Sequence, residues 1–178
     1  MTETEMRPAV AREGQSEEPR RVLFVCTGNT CRSPMAAALY NDMMAPGEVG
    51  SACAGEGQAA LAVAESAGLY ANDGDPMTPD AVKALAEAGV APRPGNDYTA
   101  HRARRVTRDM MERADAVVAI STSHAMELTL RFPEFAGKIG TMPMDIPDPY
   151  GKGPVAYREC LMQLRYCLQI LGAGGEEA

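Results

Sequence analysis

Apolar residues fall along this chain in two alternating rhythms. A continuous run, Val22-Leu23-Phe24-Val25, reads as a buried strand, and it is followed by Met35, Ala38 and Leu39 at helical spacing, which predicts a helix from Pro34 to Met44. Pro46-Gly47 ends it. A second strand is predicted over Leu61 to Ser66. Thr78-Pro79 then opens a helix that carries Val82, Leu85 and Ala86 as far as Gly89, with Thr78 as its expected cap. Thr107 to Arg113 predicts a short helix, Ala116 to Ile120 a buried strand, Ser121 to Leu130 a further helix and Lys138 to Met142 a last short strand. From Pro154 to Leu171, Tyr157, Cys160, Leu161, Leu164, Leu168 and Leu171 share one helical face. Two stretches break the rhythm: Gly47 to Ala60, read as loop or a short extra helix, and Ala91 to Tyr98, read as loop. Residues 1–20 lack apolar periodicity and read as a disordered tail ahead of one domain over 21–172, with a short tail at 173–178.

Strands alternating with helices imply an α/β domain, doubly wound, with a parallel sheet covered on both faces and ligands taken at the carboxyl ends of the strands. Cys26 stands at such an end. The segment Cys26-Thr27-Gly28-Asn29-Thr30-Cys31-Arg32-Ser33-Pro34 runs from the strand into a helix. Gly28 and Asn29 tolerate positive φ, and Pro34 suits a first helical turn. A loop of this kind curls so that successive N–H groups and the helix dipole face one anion. Arg32 adds a planar fork of donors matched to two phosphoryl oxygens. The field that holds a phosphate also favours the thiolate of Cys26, aided by the Ser33 hydroxyl. A thiolate beneath a phosphoryl group is a nucleophile.

These residues resemble the active-site signature of the low-molecular-weight protein tyrosine phosphatase family, which includes protein arginine phosphatases. The similarity continues through Ser66-Ala67-Gly68, Thr78 to Val90, His101-Arg102-Ala103-Arg104, Ala114-Asp115 and Asp148-Pro149-Tyr150-Gly151. It implies a four-stranded parallel sheet and a two-step reaction. Cys26 attacks phosphorus, Asp148 protonates the leaving group, and Asp148 then activates water to release phosphate from the phosphocysteine. Arg32 and the loop residues Thr27, Gly28, Asn29, Thr30, Cys31 and Ser33 would hold the phosphate, with Tyr150 at the pocket mouth. Ser66 and His101, with Asn29 and Ser33, match the family's loop-supporting network. Asp145 competes with Asp148 as the acid, since both lie in a proline-stiffened loop. The scheme uses no metal and no cofactor.

Cys31 is read either as a reversible disulfide partner that shields Cys26 or as a small buried residue at the helix start. Cys160 and Cys167 read as core, Cys53 carries no signal, and no Cys/His spacing suggests zinc. His124, early in its helix, reads as surface. Most of the 12 methionines fall in predicted helices and read as core filler.

The 178 residues suit one domain. Five cysteines without a signal peptide point to the cytoplasm, and no apolar run approaches the ~20 residues that span a bilayer. A net charge of −7 argues against nucleic acid as partner. The basic cluster His101 to Arg108 reads instead as a solvated helical face. The expected partners are a phosphorylated protein and the phosphate ion, as product or inhibitor. Thr30 stands where tyrosine phosphatases of the family usually have isoleucine and arginine phosphatases have threonine. Gly151 replaces a second aromatic, and Asn72 lies where an aromatic platform is common. These departures favour phosphoarginine, with phosphotyrosine as the alternative. Arsenate reduction and phosphate binding without turnover are further readings. The first needs a cysteine relay that is not visible here; the second would need neither nucleophile nor acid.

Overall fold

The computed structural model describes residues 19–45 and 62–173. Most of both predicted tails, the stretch Gly47 to Ala60 with Cys53, and Leu61 lie outside the described residues. The order of elements is β1 (Arg21–Cys26), α1 (Arg32–Met43), β2 (Val63–Gly68), α2 (Pro79–Glu87), α3 (Arg108–Arg113), β3 (Ala116–Ala119), α4 (Thr122–Arg131), β4 (Ile139–Thr141) and α5 (Pro154–Ala173), with 3-10 turns at Tyr98–Ala100 and Pro133–Lys138. The four strands form one sheet in the order β2-β1-β3-β4, and every pairing is parallel. The α/β architecture with four parallel strands is therefore as the sequence implies.

β1 is central and buried on both faces, so its side chains divide between two cores. Val22, Phe24 and Cys26 join Met35 and Leu39 of α1, Leu85 of α2 and Leu164 of α5. Leu23 and Val25 join Met111 of α3, Val117 of β3 and Leu128 of α4. Helices thus cover the sheet on each side, and the unbroken apolar run of β1 is the sequence trace of that double burial. Cys160 and Cys167 lie in the first core, and burial pushes the Cys160 thiol up to about 12. Met35, Met77, Met111 and Met142 are core residues and Met43 and Met110 pack against the cores, whereas Met126, Met144 and Met162 are exposed, so most of the described methionines do fill core space.

Two local expectations are corrected. The basic stretch is not a helical face: Arg102 and Arg105 sit in extended bridges to Pro76 and Gly68, and α3 begins only at Arg108. The Arg105 amide donates to Asp73 at 2.7 Å, the Ala103 amide to the Asp75 carbonyl at 2.7 Å, and Arg104 pairs with Glu65. Tertiary hydrogen bonds hold this segment straight. At α2, Thr78 occupies the cap position without a capping bond; its hydroxyl lies 3.5 Å from Cys31 Sγ instead. Thr107 does cap α3, accepting from the Met110 amide. No helix among the described residues is long and apolar enough to cross a membrane.

Candidate active site

All four strands deliver chain to one end of the sheet, and the site is assembled from those four exits. From β1 comes the loop Cys26 to Arg32, which curls through Asn29 at φ 57°, the one positive φ outside glycine among the described residues. An asparagine tolerates that conformation, and here it also repays the strain. Asn29 Nδ2 donates to Ser33 Oγ and to Ser66 Oγ, both at 2.9 Å, while Oδ1 accepts from the Arg104 amide at 3.0 Å. The Asn29 carbonyl accepts from His101 Nε2 at 2.8 Å. A carbonyl only accepts, so Nε2 carries the proton. Burial holds His101 below its ordinary 6.5, helped by Arg104 and Arg102 and opposed by this hydrogen bond, so the ring is neutral at pH 7.

Within the curl, Cys26 Sγ is 2.9 Å from Ser33 Oγ and accepts from the Asn29 amide at 3.3 Å. Both contacts suit negative charge on sulfur. Arg32 opens α1 and is buried, with its guanidinium directed to the last loop of the sheet end: one nitrogen donates to the Ile146 carbonyl at 3.2 Å, the other lies 3.3 Å from Asp148 Oδ2. Asp148 is half exposed, and its other oxygen accepts from the Tyr150 amide at 3.2 Å. Asp145 is engaged elsewhere. It accepts from the Thr122 amide and hydroxyl at 2.8 and 2.9 Å, which anchors the loop to α4 and holds its carboxyl below the ordinary 3.8.

The loop, Arg32, Asp148 and Tyr150 surround a cavity of about 230 Å³. Thr30 is half-buried on its wall with Oγ1 3.7 Å from Cys31 Sγ. Cys31 is buried with a free thiol, 3.2 Å from the Tyr157 hydroxyl of α5. From β2 come Ser66 and Gly68, then Tyr70, Asn72 and Asp75, which also line the cavity. Tyr70 corrects the expectation that the Asn72 region offers no aromatic surface. Its ring is exposed at the mouth, clamped by the Arg131 guanidinium at 4.6 Å and by a hydroxyl bond to Glu127.

From β3 comes a residue that sequence reasoning misplaced. His124 is 7% exposed, not a surface residue, and its ring joins Thr27 of the loop to Ser121. Of the buried polar residues in the described chain, Asn29, Arg32, Ser33, Ser66, Ser121 and His124 all belong to this region, and only Asn96 lies apart. The candidate residues named from the sequence are thus brought to one end of the sheet, lining the cavity or bonded to the loop, except Asp145, which is held by Thr122.

A thiol at the base of an anion-binding loop, with a buried arginine and a carboxylate across the cavity, defines a cysteine-dependent phosphatase. The family model described as low molecular weight phosphotyrosine protein phosphatase matches residues 21–173. The protein-arginine-phosphatase of Geobacillus stearothermophilus is 35% identical over 162 residues, covering 86% of this chain and 94% of that one. A probable low molecular weight protein-tyrosine-phosphatase, EpsP, of Ralstonia solanacearum is 33% identical over 150 residues, covering 82% and 89%. Among solved structures, the YwlE arginine phosphatase of G. stearothermophilus superposes with a TM-score of 0.72 at 32% identity, covering 88% of this chain and 92% of that one. The chain belongs to the low-molecular-weight phosphotyrosine protein phosphatase family, and it is a hydrolase acting on phosphorylated protein.

Proposed function

We propose that this enzyme removes phosphate from phosphoarginine in proteins. Cys26 attacks phosphorus in line, the bond from phosphorus to the guanidino nitrogen breaks, and Asp148 gives that nitrogen its proton. Asp148 then takes a proton from water, whose oxygen displaces the cysteine sulfur, and phosphate leaves. Arg32 and the loop amides carry charge on the equatorial oxygens throughout. The phosphate ion, as product, competes for the same loop. Ser66, His101, Asn29 and Ser33 keep the loop in its curled form. Four free thiols among the described cysteines suit a reducing compartment, and we assign the enzyme to the cytoplasm.

The observation that carries the substrate assignment is Thr30 on the cavity wall, where a hydroxyl replaces an apolar branch and suits a guanidinium or the attacking water. The relatives named as arginine phosphatases support it, at 35% and 31% identity. Phosphotyrosine remains the second reading, favoured by the exposed rings of Tyr70 and Tyr150 at the mouth. One face of Tyr70 already carries the Arg131 guanidinium, and the exposed ring of Tyr150 suits a planar cation as well as a phenyl ring, so the mouth serves either substrate. The deciding experiment compares kcat/KM on phosphoarginine and phosphotyrosine peptides for wild type and Thr30→Ile, with Cys26→Ser as the inactive control. A phosphoarginine preference that collapses in Thr30→Ile is expected; equal or better phosphotyrosine cleavage by wild type overturns the assignment.

A further inference from the structure

β3 ends at Ala119, and the chain turns at Ser121 into α4, so the first turn of α4 stands beside the phosphate loop at the carboxyl end of the sheet. His124 lies in that turn. Nε2 is 2.9 Å from Thr27 Oγ1, and Nδ1 is 2.8 Å from Ser121 Oγ, so both nitrogens of a buried imidazole are engaged. Burial and the Arg32 charge hold the ring below 6.5, against the opposing influence of Asp148, Glu127 and Asp145. The imidazole is neutral at pH 7 and has one N–H and one lone pair to share. When Ser121 donates to Nδ1, Nε2–H donates to Thr27 Oγ1, and the Thr27 proton is left free for the cavity whose wall Thr27 forms. Two residues before His124, Thr122 holds Asp145 through its amide and its hydroxyl, and Asp145 precedes Asp148 in the same loop. One turn of helix therefore grips the loop that carries the nucleophile and the loop that carries the acid.

We propose that His124 is a positioning residue for the hydrolysis: through Thr27 it fixes the first turn of the phosphate loop to α4, in register with the acid loop that Asp145 fastens to the same turn. It acts on Thr27, and through Thr27 on the geometry between Cys26 and Asp148. The first turn of α4 is a shared footing for both halves of the catalytic pair.

The test is a double-mutant cycle read in kcat/KM with para-nitrophenyl phosphate. His124→Phe keeps the ring and removes both hydrogen bonds, and Thr27→Val keeps the shape and removes the hydroxyl. Each is expected to lower kcat/KM by about tenfold, and the double variant to fall no further than the lower single one, because both remove the same interaction. His124→Gln, whose amide nitrogen stands near the Nε2 position without titrating, is expected to recover activity to within about threefold of wild type. Should His124→Phe fail to fold, the cycle is run with His124→Asn, whose shorter amide matches the Nδ1 position and leaves Thr27 unbonded. Losses that multiply to about a hundredfold in the double variant overturn the proposal. So does a folded His124→Phe enzyme with wild-type kcat/KM, or a His124→Gln enzyme as impaired as His124→Phe.

Discussion

Asn29 concentrates more of the site's geometry than any other side chain on the loop. It sits at φ 57°, and its amide group joins Ser33, Ser66 and the Arg104 backbone in one buried set of bonds. Two substitutions separate these contributions. Asn29→Gly keeps the backbone conformation and loses the three side-chain bonds, so it should cost about 2–4 kcal/mol in urea denaturation. Asn29→Ala loses the same bonds and also meets the steric penalty of the left-handed region, about 1–2 kcal/mol more. A smaller loss in alanine than in glycine would show that the backbone there is not held as described. Asn29 was legible from the sequence because a Gly-Asn pair between a strand and an arginine announces a turn. Tyr70 was not: an aromatic two residues past a strand has no periodicity to mark it, and its place at the cavity depends on Arg131 and Glu127 some 60 residues away.

Between elements, β2 approaches the phosphate loop closely at Gly68. A Cβ on Gly68 would lie 2.6 Å from the Thr27 carbonyl oxygen and 3.0 Å from the Asn29 amide nitrogen, both backbone atoms. Gly68→Ala must therefore displace the loop, and a shift near 1 Å should lower kcat/KM by about a hundredfold, measured with para-nitrophenyl phosphate. At α4, Asp145 supplies the cap contact to Thr122. Its folded carboxyl is held below 3.8, so its contribution to stability is complete above that pH and is lost as pH falls through the lower folded value. Asp145→Asn should flatten the acid end of the curve of Tm against pH; equal slopes for the two proteins below pH 4 would contradict the cap. The helices and strands themselves were readable within a few residues, since β1 and α5 carry long apolar patterns. The errors share one cause. Arg102 to Arg105 runs extended, Thr78 leaves its cap for Cys31, and His124 turns inward, each because of a partner far away in the chain. The rule that drew attention to Cys26, that strand ends hold ligands, applies equally to β3 and would have pointed to Ser121 and His124.

For the molecule as a whole, the site is where the two cores and all four strand exits meet, so filling it should stabilise the entire fold. Inorganic phosphate at about 100 times its Kd should add about 2.7 kcal/mol to the unfolding free energy, visible as a rise in Tm. Arg32→Ala should remove most of that rise, because Arg32 is the buried cation of the cavity. An undiminished shift in that variant would mean that phosphate binds elsewhere. A surplus of seven negative charges over the chain leaves this local positive field as an exception within an acidic protein.

The bond between Cys31 and Tyr157 closes the site from behind, and it joins residues 126 positions apart. Translation at ~5–20 residues per second takes on the order of ten seconds to cross that interval. Once the loop has left the ribosome, the nascent chain presents both of its thiols while the helix that later covers Cys31 has not been made. The enzyme's vulnerability to oxidants is thus greatest at birth, and a pulse of peroxide should damage newly made chains more than mature ones.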